Sequence, residues 1–99
     1  MTPQQHFRCL ESMYQAAPIN KLYPPKMTVS EGEAVIEIEL TSDYFHSAGA
    51  VHGSVYFKVL DDSAFFAANS FEDEVFVLTS SFTTYITRPV SSGKMKAVG

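Results

Sequence analysis

Residues 54–69 combine a helical period with an almost unbroken apolar surface, and this segment limits the folds open to the chain. With Asp61 set at zero and about 100° per residue, Ser54, Lys58, Phe65 and Asn69 fall within the next ~80°, and Asp62 at ~100°. The remaining arc of roughly 220° is apolar apart from Ser63, far wider than a helix resting on one sheet face requires. A helix of this kind needs a curved sheet around it, or a sheet on one side and a partner subunit on the other. Strand-forming segments on both sides of it, in the order ββαββ, can supply that cover.

Upstream, residues 4–16 place Phe7, Leu10 and Tyr14 at helical spacing, and Pro18 ends that helix. Residues 26–30 and 35–40 make a hairpin across Ser30-Glu31-Gly32-Glu33, with Ile36, Ile38 and Leu40 on one face and Glu37 and Glu39 on the other. Residues 42–53 form a polar loop holding His46, Gly49, His52 and Gly53. Val75 to Thr87 is β-branched and aromatic and reads as a long strand, stopped by Arg88-Pro89; residues 94–98 begin another. The pattern predicts one α+β domain over residues 1–99.

Composition narrows the classes of function. Eight Phe and five Tyr among 99 residues supply core pieces for a single folded unit. Seven scattered Lys and Arg against a net charge of -4 argue against a nucleic-acid surface. No apolar run reaches the ~20 residues of a membrane span, and no signal peptide is visible, so a cytoplasmic protein is expected. The lone Cys9 lies in the first helix, where a buried inert thiol is the expectation, and His6 beside it is expected to be exposed.

Two readings of Asp61 and Asp62 stand side by side. In one, Lys58 pairs with Asp61 at i+3 and Asp62 at i+4 on a solvated face. In the other, Asp61 borders the apolar arc, where a filled groove would desolvate its carboxylate and make it a better base or nucleophile. Gly53 is either a glycine needed for a turn or the source of an unpaired amide at a helix start, able to polarise a carbonyl and hold an oxyanion. Ser54 has the chemistry of a helix cap. Asp61 lies eight positions beyond Gly53, roughly 12 Å along the axis, so one carbonyl cannot touch both groups of one helix. If both act on one bond, the site combines two subunits, which predicts a dimer.

His52-Gly53-Ser54, the acid nine positions after His52, and Ile86-Thr87-Arg88-Pro89 together resemble the hotdog-fold acyl-CoA thioesterases of the phenylacetate-degradation type. The resemblance implies a hotdog fold, a curved antiparallel sheet around a long central helix, dimerised into a continuous sheet and often a tetramer. It makes Asp61 the general base or nucleophile of thioester hydrolysis and the Gly53 amide the carbonyl-polarising group. His46 stands near a substrate-binding asparagine of many members, and Thr79 or Ser80 near a helper hydroxyl. His52 and Ser54 complete the implied substrate-binding set, with coenzyme A entering only as part of the substrate. Three departures accompany it. Ser54 replaces a second glycine, the doubled acid leaves Asp62 as an alternative catalytic residue, and the two C-terminal strands of the family are missing.

Rival readings are a non-catalytic hotdog module that binds an acyl-thioester, and a hotdog hydratase or dehydratase. His46, His52 and Asp43 match no standard metal spacing, and neither a metal nor a redox cofactor is expected. Serine-nucleophile, phosphate-loop and dinucleotide motifs are absent.

Overall fold

The computed structural model describes residues 1–99. Helix α1 spans Pro3–Ala16, β1 Pro25–Ser30, β2 Glu33–Glu39, helix α2 Gly53–Asn69 and β3 Lys94–Val98, with short 3₁₀ turns at Pro18–Lys21 and Ser42–Tyr44. The three strands form one antiparallel sheet in the order β1-β2-β3. This is the expected α+β arrangement, with both helices laid against strands.

Helix α1 starts where the sequence supplies a reciprocal cap. The Thr2 hydroxyl accepts from the Gln5 amide at 3.2 Å, and the Gln5 side chain accepts from the Thr2 amide at 2.8 Å. Phe7, Leu10 and Tyr14 are its buried face. Two polar residues of the same helix seal the outer edge of β1. Arg8 donates to the Val29 carbonyl and Glu11 accepts from the Val29 amide, at 2.7 and 2.8 Å. An edge strand with its outward groups engaged is a poor template for pairing with another chain.

The hairpin turns at Gly32, whose φ of +71° suits only glycine without strain. Its amide donates to the Ser70 hydroxyl at 2.7 Å, and a Cβ there would lie 2.8 Å from the Phe71 ring. On β2, Ala34, Ile36 and Ile38 are essentially inaccessible and form the centre of the core with Leu10, Val29, Val55 and Val59. Ala97 of β3 faces Ile36 and is buried with it. At Gly99 a side chain would run into the backbone of Ser63 and Ala64, so the end of this edge lies directly against α2.

Helix α2 buries Val55, Val59, Ser63, Phe66 and Ala67 toward the sheet. The Ser63 hydroxyl is satisfied by the Leu60 carbonyl at 2.8 Å. The opposite side is only partly covered, with Phe57 and Leu60 44% and 36% exposed and Ala64 and Ala68 beside them. Three strands are too narrow to enclose the helix. The sheet therefore covers one side, and the wide apolar arc persists on the other.

Residues 75–87 do not form the expected long strand. They run beside α2 without ladder hydrogen bonds, and Leu78 and Tyr85 are 90% and 85% exposed. Strand propensity records how well side chains suit a pleated surface, and a strand exists only where a neighbour takes its amides. The ladder pairs only β1 with β2 and β2 with β3, and no strand takes the amides of residues 75–87. Cys9 is exposed rather than buried, because Phe7, Leu10 and Tyr14 define the inner face and Cys9 lies off it. His6 is half-buried rather than exposed, with Nε2 2.8 Å from the Asn69 carbonyl oxygen.

Candidate active site

The polar loop before α2 is closed by backbone bonds that fix its two histidines. Phe45 bridges Val51, the His46 amide donates to the Ala50 carbonyl at 2.8 Å, and Gly49 turns the chain with φ +82°. His46 Nδ1 accepts from the Ala48 amide at 3.0 Å, which leaves the proton of the neutral ring on Nε2, a donor. His52 is the N-cap of α2, its Nδ1 accepting from the Ser54 amide at 3.0 Å. Ser54 is therefore not the cap; its hydroxyl lies 2.9 Å from the same nitrogen, inside the first turn. Histidine takes the capping place because its extended backbone (φ -64°, ψ 144°) swings the ring over the helix start.

Gly53 is the first residue of the helix, and its amide has no acceptor within the chain. The positive end of the helix dipole adds to the pull of that free N–H on a carbonyl oxygen. His46, Val51, Gly53, Tyr56, Ile86 and Arg88 surround an open hollow of about 390 Å³ at this end. The Tyr56 hydroxyl donates to the Arg88 carbonyl at 3.1 Å and draws the Arg88-Pro89 segment against the helix.

Two turns further along, the two acids have different partners. The Asp61 carboxylate is half-exposed and accepts one bond, from the Thr79 hydroxyl at 2.9 Å. It forms no ion pair. Asp62 turns to the other side and accepts from Lys58 Nζ and from the Tyr14 hydroxyl, both at 2.7 Å. Lys58 also donates to Asn20 Oδ1 at 2.6 Å and stands 5.0 Å over the Tyr14 ring. Asn20, itself buried, closes the group by donating to the Tyr14 carbonyl at 2.6 Å. Burial, then the Asp62 bond and its charge, push the Tyr14 hydroxyl far above the ordinary phenol range, so it remains a donor. The expected double pairing of Lys58 is thus replaced by a single one, to Asp62. The buried side of α2 offers Lys58 three oxygens, whereas the Asp61 side offers one.

The structure brings His46 and Gly53 together at one end of α2, with His52 and Ser54 beside them, and Asp61 and Thr79 together further along. Ser80 is exposed and reaches neither group. Within one chain Gly53 and Asp61 remain roughly 12 Å apart along the helix, as the 1.5 Å rise dictates. Two residues not anticipated from sequence position this region. Asn69 accepts from the Val77 amide and donates to the Glu72 carbonyl, both at 2.9 Å, fixing the chain that leads to Thr79. Its place at the helix end, followed by Ser70, is a readable stop signal. Asn20 carries no such signal, since only the tertiary placement of the 3₁₀ turn Pro18–Lys21 beside α2 brings it to Lys58.

No family model matches the chain, and no curated protein does. Solved structures do. The Escherichia coli PaaI protein of the phenylacetic acid degradation operon superposes with a TM-score of 0.83 at 21% identity, over 99% of this chain and 71% of that one. A single-residue variant of the phenylacetic acid degradation protein PaaI of Thermus thermophilus gives 0.71 at 24% identity, over 83% of this chain and 70% of that one. A protein of the thioesterase superfamily gives 0.79 at 15% identity, over 93% and 71%. The fold is therefore the hotdog fold, and each of these chains is longer than the present one.

Proposed function

We propose that the chain is a hotdog thioesterase that hydrolyses an acyl-CoA to a carboxylic acid and CoA. The observation that carries this reading is the division of labour between the two acids. Asp62 is committed to Lys58 and Tyr14, while Asp61 keeps an unpaired carboxylate, oriented by Thr79 and open to solvent. Likeness in fold to PaaI and a thioesterase-superfamily protein supports the general class.

In this reading the thioester carbonyl accepts from the Gly53 amide, with the His46 Nε2–H as a second donor. Asp61 takes a proton from water as the oxygen bonds to the carbonyl carbon, and the oxyanion is held by the same donors. Collapse breaks the C–S bond, and the proton passes from Asp61 to the departing thiolate. Direct attack by Asp61 would instead give an anhydride that water opens. Because one helix cannot bring both groups to one carbonyl, the site unites Gly53 of one copy with Asp61 of a second. The partly covered apolar stripe of α2 and residues 75–86 are the surfaces that a dimer would bury.

A thiol-release screen over short, long and aromatic acyl-CoAs tests the proposal. Turnover is expected for the wild type, with Asp61→Asn slower by about 10²–10⁴-fold, the usual contribution of a positioned base. Acyl-CoA binding without thiol release would contradict it and identify a binding module. Label from ¹⁸O water found in Asp61 after a single turnover would identify Asp61 as the nucleophile, since only an anhydride opened at the Asp61 carbonyl places it there.

A further inference from the structure

We infer that Asp62 is a positioning residue whose task is to hold Lys58 away from Asp61. The inference rests on the reading of Asp61 as the reactive carboxylate. Lys58 lies three positions before Asp61 and four before Asp62, and both spacings allow an ion pair on a helix. The structure resolves this choice fully to one side. Lys58 Nζ meets Asp62 at 2.7 Å, Asn20 at 2.6 Å and the Tyr14 hydroxyl at 3.2 Å, so its three donors are all engaged. The side chain is largely sequestered, with 13% of its surface exposed. Asp62 supplies the only opposite charge in that group, and Asn20 and Tyr14 are neutral. Without it, the pull that keeps the ammonium under α1 falls, and Asp61, three positions on along the helix, is left as a carboxylate within reach of an i+3 pair.

A lysine on Asp61 would take up the lone pair that must receive the proton of water or attack carbon. It would also displace the Thr79 bond, which now sets the carboxylate's orientation. The doubled acid is thus one reactive group and one counter-ion. In this arrangement the second acid protects the first from the cation of its own helix.

Three chains test this: Asp62→Asn, its smaller neutral counterpart Asp62→Thr, and the double variant Lys58→Met with Asp62→Asn. In a crystal structure of Asp62→Asn, Lys58 Nζ is expected within about 4 Å of an Asp61 oxygen, the range of an ion pair. Lys58 remaining on Asn20 and Tyr14 would overturn the inference, whatever the activity. In the thiol-release assay Asp62→Asn and Asp62→Thr are expected to lose roughly tenfold or more, a part of what a positioned base contributes. The double variant is expected to recover most of that loss. A merely structural role for Asp62 predicts the reverse, a double variant no better than the single one, with melting temperatures falling in step. Failure of the thioesterase reading is distinguishable, because it would show as full activity in Asp61→Asn or as no turnover in the wild type, and the position of Lys58 decides the inference in either case.

Discussion

Asp61 and Asp62 are adjacent and chemically identical, yet their surroundings assign them to different tasks. Asp62 belongs to a half-buried group with Tyr14, Lys58 and Asn20, and breaking such a group from one side leaves a charge without its partner. Tyr14 gives this group a pH signature. Its pKa is raised on folding, so the folded state holds the proton more tightly than the unfolded chain. That stability is fully present below the ordinary tyrosine value of 10.0 and is lost as pH rises above it, by about 1.4 kcal/mol per pH unit. Tyr44, raised in the same direction chiefly by burial, adds to the loss. Urea denaturation between pH 8 and about 11 checks this. The wild type should weaken steeply above pH 10.0 and Tyr14→Phe less so, whereas equal slopes would show that the hydroxyl does not titrate late. At this scale the sequence was half legible. The helical wheel put both acids at the margins of the polar sector and marked Gly53 as a helix start. It could not choose between i+3 and i+4 partners for Lys58, because the deciding oxygens on Tyr14 and Asn20 come from residues 38 or more positions away.

Among the elements, the hairpin was readable because its information is local. Alternation fixed the inner face at Ile36 and Ile38, and a glycine marked the turn; the structure adds Ala34 to that face and ends the strand before Leu40, which is only partly buried. Gly32→Ala is expected to cost about 1–3 kcal/mol, since alanine at positive φ is strained and its Cβ meets the Phe71 ring. Thermal unfolding measures it, and a loss below about 0.5 kcal/mol would show that the turn relaxes. The cap of α1 is similarly local, and Thr2→Ala should cost about 1 kcal/mol in the same measurement. Residues 75–87 were not readable for the opposite reason. Their alternation is that of a strand, but the pairing that makes a strand lies outside the segment, and no strand of the sheet pairs with it. What holds the segment instead is side-chain contact with α2: Phe82 edge-on to Phe57 at 5.3 Å, Thr79 on Asp61, and Val77 on Asn69.

For the whole molecule, the sheet and α2 form a half-covered core. Val55, Val59 and Phe66 are sealed, while Phe57, Leu60, Ala64 and Ala68 present a continuous apolar stripe to the outside. This is the surface that the proposed dimer would bury. Replacing Leu60 with lysine is therefore expected to shift the protein toward monomer in sedimentation without lowering its melting temperature as a core change would. An unchanged oligomer would place the contact elsewhere. The sequence foretold the wide apolar arc of the helix, and the structure shows which side of it the sheet leaves open.

Mixing two inactive chains reads out directly whether the reaction centre is shared. One carries Asp61→Asn, and the other carries Gly53→Pro, which deletes the free amide at a helix position where proline fits and after a residue already extended. Mixed dimers hold one intact pairing of Gly53 with Asp61, so thiol release from acyl-CoA should return to about a quarter of the wild-type rate at equal mixing. A mixture as silent as its two components would contradict a centre built from both copies.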